Sequence, residues 1–142
     1  MSRHVLTELK IPADVHFIGV AKSVGNRLGS LVGFSLEQLD ELAIAVTQAC
    51  ESAIEAGEQT WGPGASLKLS YSQLGRGLGV EVQAIAPRSH EALPAARQLA
   101  QQRQQEDLQR LTHEMIRCFV DDFRTEVEAR RVRISMVKYL IG

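Results

Sequence analysis

The sequence predicts an α+β fold in which one antiparallel or mixed β-sheet carries helices on one of its faces. Segments such as HVLTELKI and ASLKLSYSQ alternate apolar and polar residues, which is the pattern of strands in a half-covered sheet. Two segments after the first strand repeat apolar residues at helical spacing instead. The order is strand, two helices, two strands, a further helix and two strands, which favours a two-layer sandwich. The predicted strands are 4–11, 65–73, 78–86, 123–129 and 131–141.

The first helix is predicted from Val15 to Val32. Pro12 ends the strand before it because proline has no N–H to donate to a sheet, and Asp14 is placed to cap the helix. Gly33 follows the last helical residue, where glycine commonly closes a helix. The apolar residues that recur at helical spacing are Phe17, Val20, Ala21, Val24, Leu28 and Leu31.

The second helix begins after Ser35, and Gln38 three residues later completes a capping-box pattern. The segment 55–65, EAGEQTWGPGA, is predicted to be a loop because of its glycines and Pro63. Further along, 91–122 reads as mostly helical, with a glutamine-rich start. The apolar stripe of the second helix consists of Leu36, Leu39, Leu42, Ala43, Val46, Ala49, Cys50 and Ala53.

Length and composition indicate one globular domain. The chain has 142 residues, of which 44% are hydrophobic and 23% are charged, and its formal net charge is −1. Such a balance gives no sign of the basic excess that nucleic-acid binding requires. No apolar run is long enough to cross a membrane, and the start lacks a signal-peptide core, so a cytoplasmic location is expected.

The cysteines and histidines give no sign of a metal or redox site. Cys50 and Cys118 are both in phase with apolar helical neighbours, so both are predicted to be reduced core thiols. The alternative is a redox pair or a nucleophile, but neither cysteine has a histidine or lysine nearby in sequence that would lower a thiol pKa. The four histidines are scattered without the spacing of metal ligands, and no metal site is expected.

The segment 44–57, IAVTQACESAIEAG, resembles the catalytic helix of the GHKL ATPase superfamily, which has the Bergerat fold. The greatest similarity is to bacterial anti-sigma serine kinases of the RsbW type. The segments IPADVHFIGVAK, GVEVQAIA, FVDDF and ISMVKYL extend the resemblance over most of the chain. It implies a single histidine-kinase-like ATPase domain over residues 1–142. Intact members bind Mg-ATP, form homodimers, and hold a sigma factor until a STAS-domain anti-anti-sigma protein competes for them.

The positions that would perform catalysis depart from the family pattern. Gln48 occupies the place of the general-base glutamate, and an amide has no useful basicity. Ser52 occupies the place of the asparagine that holds Mg²⁺ and has a shorter reach than asparagine. The family's phosphate-binding glycines correspond to 109–112, QRLT, where this chain has no glycine.

The adenine-reading positions depart as well. The family has an aspartate that accepts a hydrogen bond from adenine and a glycine two residues later, and here these are Ala84 and Ala86. Leaving the adenine amino group unpaired costs about 1–3 kcal/mol. The sequence therefore favours a pseudokinase with a vestigial pocket, no bound cofactor and no catalytic residue, although it leaves enzymatic activity open.

The sequence is compatible with three functions. The leading one is a non-enzymatic partner-switching regulator that binds a sigma factor, a STAS-domain protein or both, without contacting nucleic acid or membrane. The second is an active serine kinase in which Glu51 or Glu55 supplies a shifted carboxylate. The third is a structural subunit that pairs with a catalytic paralogue.

Three polar residues of the first helix, Lys22, Asn26 and Arg27, are candidates for contact with a protein partner. The alternative interpretation is an ordinary solvated helix face, since charged surface residues usually need no functional reason.

Overall fold

A five-stranded antiparallel sheet forms one layer of the protein. The structure is a computed structural model that describes residues 3–88, 106, 110, 114 and 116–140. The strand order across the sheet is β1-β2-β3-β5-β4, and each neighbouring pair is antiparallel. The strands are β1 (Arg3–Pro12), β2 (Ser66–Leu74), β3 (Gly77–Ile85), β4 (Asp122–Glu128) and β5 (Arg131–Tyr139). The five predicted strands and the antiparallel alternative are confirmed.

Two helices, α1 (Ile18–Val32) and α2 (Leu36–Trp61), pack on the same face of this sheet. A 3₁₀ turn precedes α1, and the Asp14 carboxylate accepts the backbone N–H of His16 at 2.9 Å to cap that turn. This hydrogen bond lowers the pKa of Asp14. The α+β class with helices on one face is therefore confirmed.

The buried face of α1 differs from the predicted stripe. The residues that face the core are Ile18, Ala21, Gly25 and Gly29, while Phe17, Val20 and Leu31 are exposed. A Cβ atom at Gly29 would lie 2.8 Å from Leu39 Cδ2, so the glycine allows the two helices to approach closely. Because α1 packs closely on its small residues, several larger apolar residues of the predicted stripe point to solvent.

The capping box of α2 is confirmed, because Ser35 Oγ accepts the N–H of Gln38 and Gln38 Oε1 accepts the N–H of Ser35. The predicted loop at 55–65 is wrong, because α2 continues to Trp61 and ends at Gly62, whose φ is 76°. Leu36 is also wrongly placed in the apolar stripe. It is the first residue after the cap and lies in solvent.

The helix predicted at 91–122 lies mostly outside the described residues. Of its described part, Glu106, Arg110, Glu114 and Ile116 are helical, and β4 already begins at Asp122.

The two cysteines lie in different environments. Cys50 is buried, as predicted, but Cys118 is exposed, so its assignment to the core is wrong. Cys118 lies in the turn after the helical residues, where helical periodicity no longer holds. Burial, with a smaller contribution from Glu51, raises the pKa of Cys50 from 9.0 to about 12.

We expect a thiol reagent at pH 8 to modify one thiol in the native protein and two in denaturant. Only Cys118 is accessible, and Cys50 stays protonated because its pKa is raised. The same raised pKa lowers the free energy of unfolding as pH rises above about 9, because unfolded Cys50 then ionises while folded Cys50 does not. In the labelling experiment, Cys118→Ser should abolish the reaction of the native protein. Two native thiols reacting at equal rates would contradict the burial of Cys50.

Candidate functional site

The predicted catalytic positions lie along one flank of α2. These positions, Gln48 and Ser52, are four residues apart, and Glu41, which was not predicted as a site residue, precedes Gln48 by seven residues. At about 100° per residue they fall within roughly 40° of one another around the helix. Sequence spacing alone is therefore enough to place Gln48 and Ser52 side by side.

Contacts of Lys138 establish what this flank faces. Lys138 lies in β5 with its side chain buried, and its Nζ donates to the carbonyl oxygen of Phe119 at 2.8 Å. The same Nζ lies 3.8 Å from Glu41 Oε1. At Glu41, two helical turns before Gln48, this flank of α2 therefore faces β5 and the turn that precedes β4.

Gln48 and Ser52 are partly buried and make no side-chain hydrogen bond to another described residue. The Gln48 amide can donate and accept hydrogen bonds but cannot take a proton at neutral pH. The Ser52 hydroxyl is one oxygen where Mg²⁺ needs several at fixed distances. Within the described part of the chain, no group of three or more histidine, cysteine, aspartate or glutamate residues is placed to hold a metal ion.

Ala84 lies near the end of β3, between Leu67 of β2 and Val132 of β5, and is fully buried. A Cβ atom at Gly57 of α2 would lie 3.5 Å from Ala84 Cβ, so the helix backbone passes directly over this residue. Ala86 is also buried, and its N–H donates to the carbonyl oxygen of Arg130 at 3.0 Å. Neither side chain offers an acceptor for an adenine amino group.

Trp61 completes an apolar cluster at this end of α2. Its ring carbons lie 3.3–3.4 Å from the Cβ position at Gly57, and its Nε1 donates to the carbonyl oxygen of Ala129 at 3.2 Å. Sequence reasoning missed this residue because it placed 55–65 in a loop. Gly57 and Trp61 are four residues apart, a spacing that places both on one face of a helix. This spacing is the sequence signal that could have identified Trp61.

The other predicted residues lie at the surface of the helices. Glu51 and Glu55 are exposed on α2, and Glu55 Oε1 accepts from Gln59 Nε2 at 3.4 Å. Lys22, Asn26 and Arg27 are exposed on α1, and no described residue forms an ion pair or hydrogen bond with their side chains. The structure thus separates the proposed pocket residues from the proposed partner residues.

The cavities in the described part of the structure lie away from the predicted pocket residues. One of about 610 Å³ is lined by residues on and just before β4, among them Arg110, Arg117 and Asp122. Another of about 330 Å³ lies beyond the C-terminal end of α2, beside Asp14 and Gly62. None of Gln48, Ser52, Ala84 or Ala86 lines either cavity. In the described part of the chain, no helix is long and apolar enough to span a membrane.

Fold and site together define a two-layer α+β protein whose second helix carries an amide and a hydroxyl on one flank. No protein-family model matches the chain. Curated relatives are similar to part of it, and the three described next are each named serine-protein kinase RsbW. The relative from Bacillus pumilus (strain SAFR-032) is 34% identical over 50 residues, which are 35% of this chain and 31% of the relative.

The relative from Oceanobacillus iheyensis is 33% identical over 54 residues, which are 38% of this chain and 34% of the relative. The relative from Bacillus subtilis (strain 168) is 29% identical over 48 residues, which are 34% of this chain and 30% of the relative. The match thus spans about a third of the length of these curated relatives. These partial similarities support a relationship with the RsbW family.

Proposed function

We propose that this protein is a partner-binding regulator of the RsbW type that neither binds nor hydrolyses ATP. The observation that carries the loss of nucleotide binding is the packing of Ala84 under Gly57. In place of a carboxylate facing a cleft, the end of β3 has a methyl group enclosed by the helix backbone. Support for the partner class comes from the partial similarity to serine-protein kinases named RsbW.

The residues at the nucleotide positions do not fit Mg-ATP. Gln48 supplies no base, Ser52 supplies a single short oxygen, and Ala84 supplies no acceptor for adenine. At about 1–3 kcal/mol for each missing polar partner, two losses already reduce affinity by about thirtyfold or more. Regulation by phosphoryl transfer therefore has no support in these side chains.

In this proposal the protein regulates its partners only by binding them and does not modify them. A sigma factor and a STAS-domain protein would compete for an overlapping surface, so their concentrations and affinities decide which of them is held. Lys22, Asn26 and Arg27 are the proposed contacts because they are exposed on α1 and have no partner among the described side chains.

Affinity capture from the native host tests the partner class. The unaltered chain is expected to retain a sigma factor or a STAS-domain protein, and the double variant Lys22→Glu with Arg27→Glu should lose it. Arg124→Glu with Arg131→Glu, on β4 and β5, makes the same charge change on the other face of the sheet and should retain it. Recovery of an intact kinase paralogue in place of both would favour the structural-subunit alternative and overturn the proposal.

A further inference from the structure

A groove lies on the face of the sheet that the two helices leave uncovered. Thr125 and Val127 of β4 are buried on the side of the helices, so the residues that alternate with them, Asp122, Arg124 and Glu126, point to the opposite face. The groove has a volume of about 250 Å³. Pockets for drug-sized ligands have about 300–1,000 Å³, so this groove suits a smaller molecule. We call it the outer groove.

Strand β5 contributes the floor of the outer groove through Ser135 and Val137. In the register of the sheet, Ser135 lies between Glu81 of β3 and Arg124 of β4, and Val137 lies next to Asp122 of β4. Long charged side chains therefore stand on both sides of a hydroxyl and a short apolar side chain.

Arg3 of β1 reaches the outer groove from the opposite edge of the sheet. It pairs with Leu74 of β2, but its guanidinium extends as far as β3, where Nη2 lies 3.6 Å from the Cβ position at Gly79. Because Gly79 has no side chain, the guanidinium has room to lie over the strand. Arg3 and Arg124 thus approach one groove from two different edges.

Some of the charges that line the outer groove already have partners. Arg133 Nε lies 3.3 Å from Glu81 Oε1, and its Nη1 lies 3.4 Å from Glu126 Oε2. The other three charged side chains of the lining make no ion pair or hydrogen bond with another described residue, and they are Arg3, Arg124 and Asp122. Two guanidinium groups and one carboxylate are therefore available to a ligand.

We propose that the outer groove binds a free α-amino acid with an apolar side chain. The carboxylate of the ligand lies between Arg3 and Arg124, because a guanidinium donates two parallel hydrogen bonds to a carboxylate. The ammonium group faces Asp122, two residues before Arg124 on the same side of β4. Phe123 and Val137 are the apolar residues of the described lining, and the ligand's side chain lies against them.

Charge balance favours a zwitterion over a simple anion. The described side chains that line the groove are three arginines and three carboxylates, so together they carry no net charge. A zwitterion preserves that balance and pairs with all three available groups. Phosphate or a dicarboxylate would add two negative charges close to Asp122 and leave that carboxylate without a cation.

The outer groove and the proposed partner surface lie on opposite sides of the protein. The core side of α1 packs on the face of the sheet that carries Val127, and the groove lies on the other face. Amino-acid binding therefore does not rest on the proposed function. A chain could bind leucine and no sigma factor, or a sigma factor and no leucine.

Isothermal titration calorimetry of the whole chain with L-valine, L-leucine and L-phenylalanine tests this site. We expect saturable binding of at least one of them with a Kd of about 1 mM or below. For leucine, N-acetyl-L-leucine lacks the ammonium group and L-leucinamide lacks the carboxylate, so each should bind about tenfold more weakly or worse. Inorganic phosphate at about 10 mM should not displace the amino acid.

Two substitutions assign the charged ends of the ligand. In Asp122→Asn, leucine should lose its advantage over N-acetyl-L-leucine, because the partner of the ammonium group is gone. In Arg124→Ala, leucine should lose its advantage over L-leucinamide, because a partner of the carboxylate is gone. Arg131→Ala on β5 and Asp40→Asn on α2 are matched controls that do not line the groove and should bind leucine like the unaltered chain.

Binding that changes in this way in both variants, with amide chemical-shift changes centred on Ser135 and Val137, supports the proposal. It is overturned if none of the three amino acids binds at about 10 mM, if phosphate displaces them, or if the control variants lose as much affinity as the groove variants. Chemical-shift changes confined to the helices also overturn it. Thermal melting of every variant verifies that these exposed substitutions leave the fold intact.

Discussion

Replacing Ala84 with aspartate is expected to destabilise the fold by about 3–5 kcal/mol, because the new carboxylate would be buried without a partner. Ala84 is fully buried, and the backbone of α2 at Gly57 lies against it. The aspartate would have to displace the helix, become protonated or remain unpaired. Urea denaturation of the variant and of the unaltered protein measures the difference in free energy of unfolding.

Ala129→Asp is the matched control, because Ala129 is exposed in the turn between β4 and β5. Its effect should stay within about 0.5 kcal/mol. If Ala84→Asp were equally harmless, the carboxylate would have to reach water or a donor at the end of β3. That result would indicate an open cleft of the kind a nucleotide needs.

Truncating Tyr71 to alanine is expected to cost about 4 kcal/mol of unfolding free energy. Tyr71 lies in β2, its side chain is completely buried, and its hydroxyl donates to the carbonyl oxygen of Ala21 in α1 at 2.7 Å. Deletion of a buried aromatic ring typically costs about 3–5 kcal/mol, because the surroundings relax only partly around the cavity. The ring also holds α1, and with it the proposed partner surface, on the sheet.

Tyr71→Phe separates the hydrogen bond from the packing. It retains the ring and removes only the hydroxyl, so a loss of about 1 kcal/mol is expected. Equal losses in the phenylalanine and alanine variants would contradict the account, since the ring would then contribute nothing. Chemical denaturation monitored by circular dichroism follows both variants.

Local sequence patterns were sufficient to predict much of this fold. Alternation of apolar and polar residues placed all five strands, because one face of the sheet is covered and the other is not. The capping box at Ser35 and the glycine at the end of α1 are also local signals, since each depends on residues within a few positions. These features required no knowledge of tertiary contacts.

Contacts between distant residues account for the errors. Gly57 is a helix breaker by intrinsic preference, yet it is helical here, because α2 packs over Ala84 and continues to Trp61. Trp61 was missed for the same reason, since its partner Ala129 is 68 residues away. The exposure of Val20 and Leu31 follows from the close approach of α1 to α2 at Gly29, which apolar periodicity does not reveal.

In the candidate site, too, some features were predictable from local spacing and others depend on contacts between distant residues. Helical spacing placed Gln48 and Ser52 on one flank of α2, because the periodicity of a helix is fixed. The contact of Lys138 with Glu41 and the Phe119 carbonyl, which orients that flank, joins parts of the chain distant in sequence. The third part of the predicted pocket, at 109–112, lies outside the described residues except for Arg110.

Isothermal titration calorimetry with Mg-ATP tests the loss of nucleotide binding most directly. The serine-protein kinase RsbW of Bacillus subtilis serves as the comparison protein, and the variant with Gln48→Glu and Ser52→Asn shows whether those two side chains alone account for the loss. We expect no saturable heat from this chain or from the variant up to about 1 mM nucleotide, because the end of β3 stays closed. Saturable, Mg²⁺-dependent binding of ATP by the unaltered chain at micromolar concentration would contradict the account.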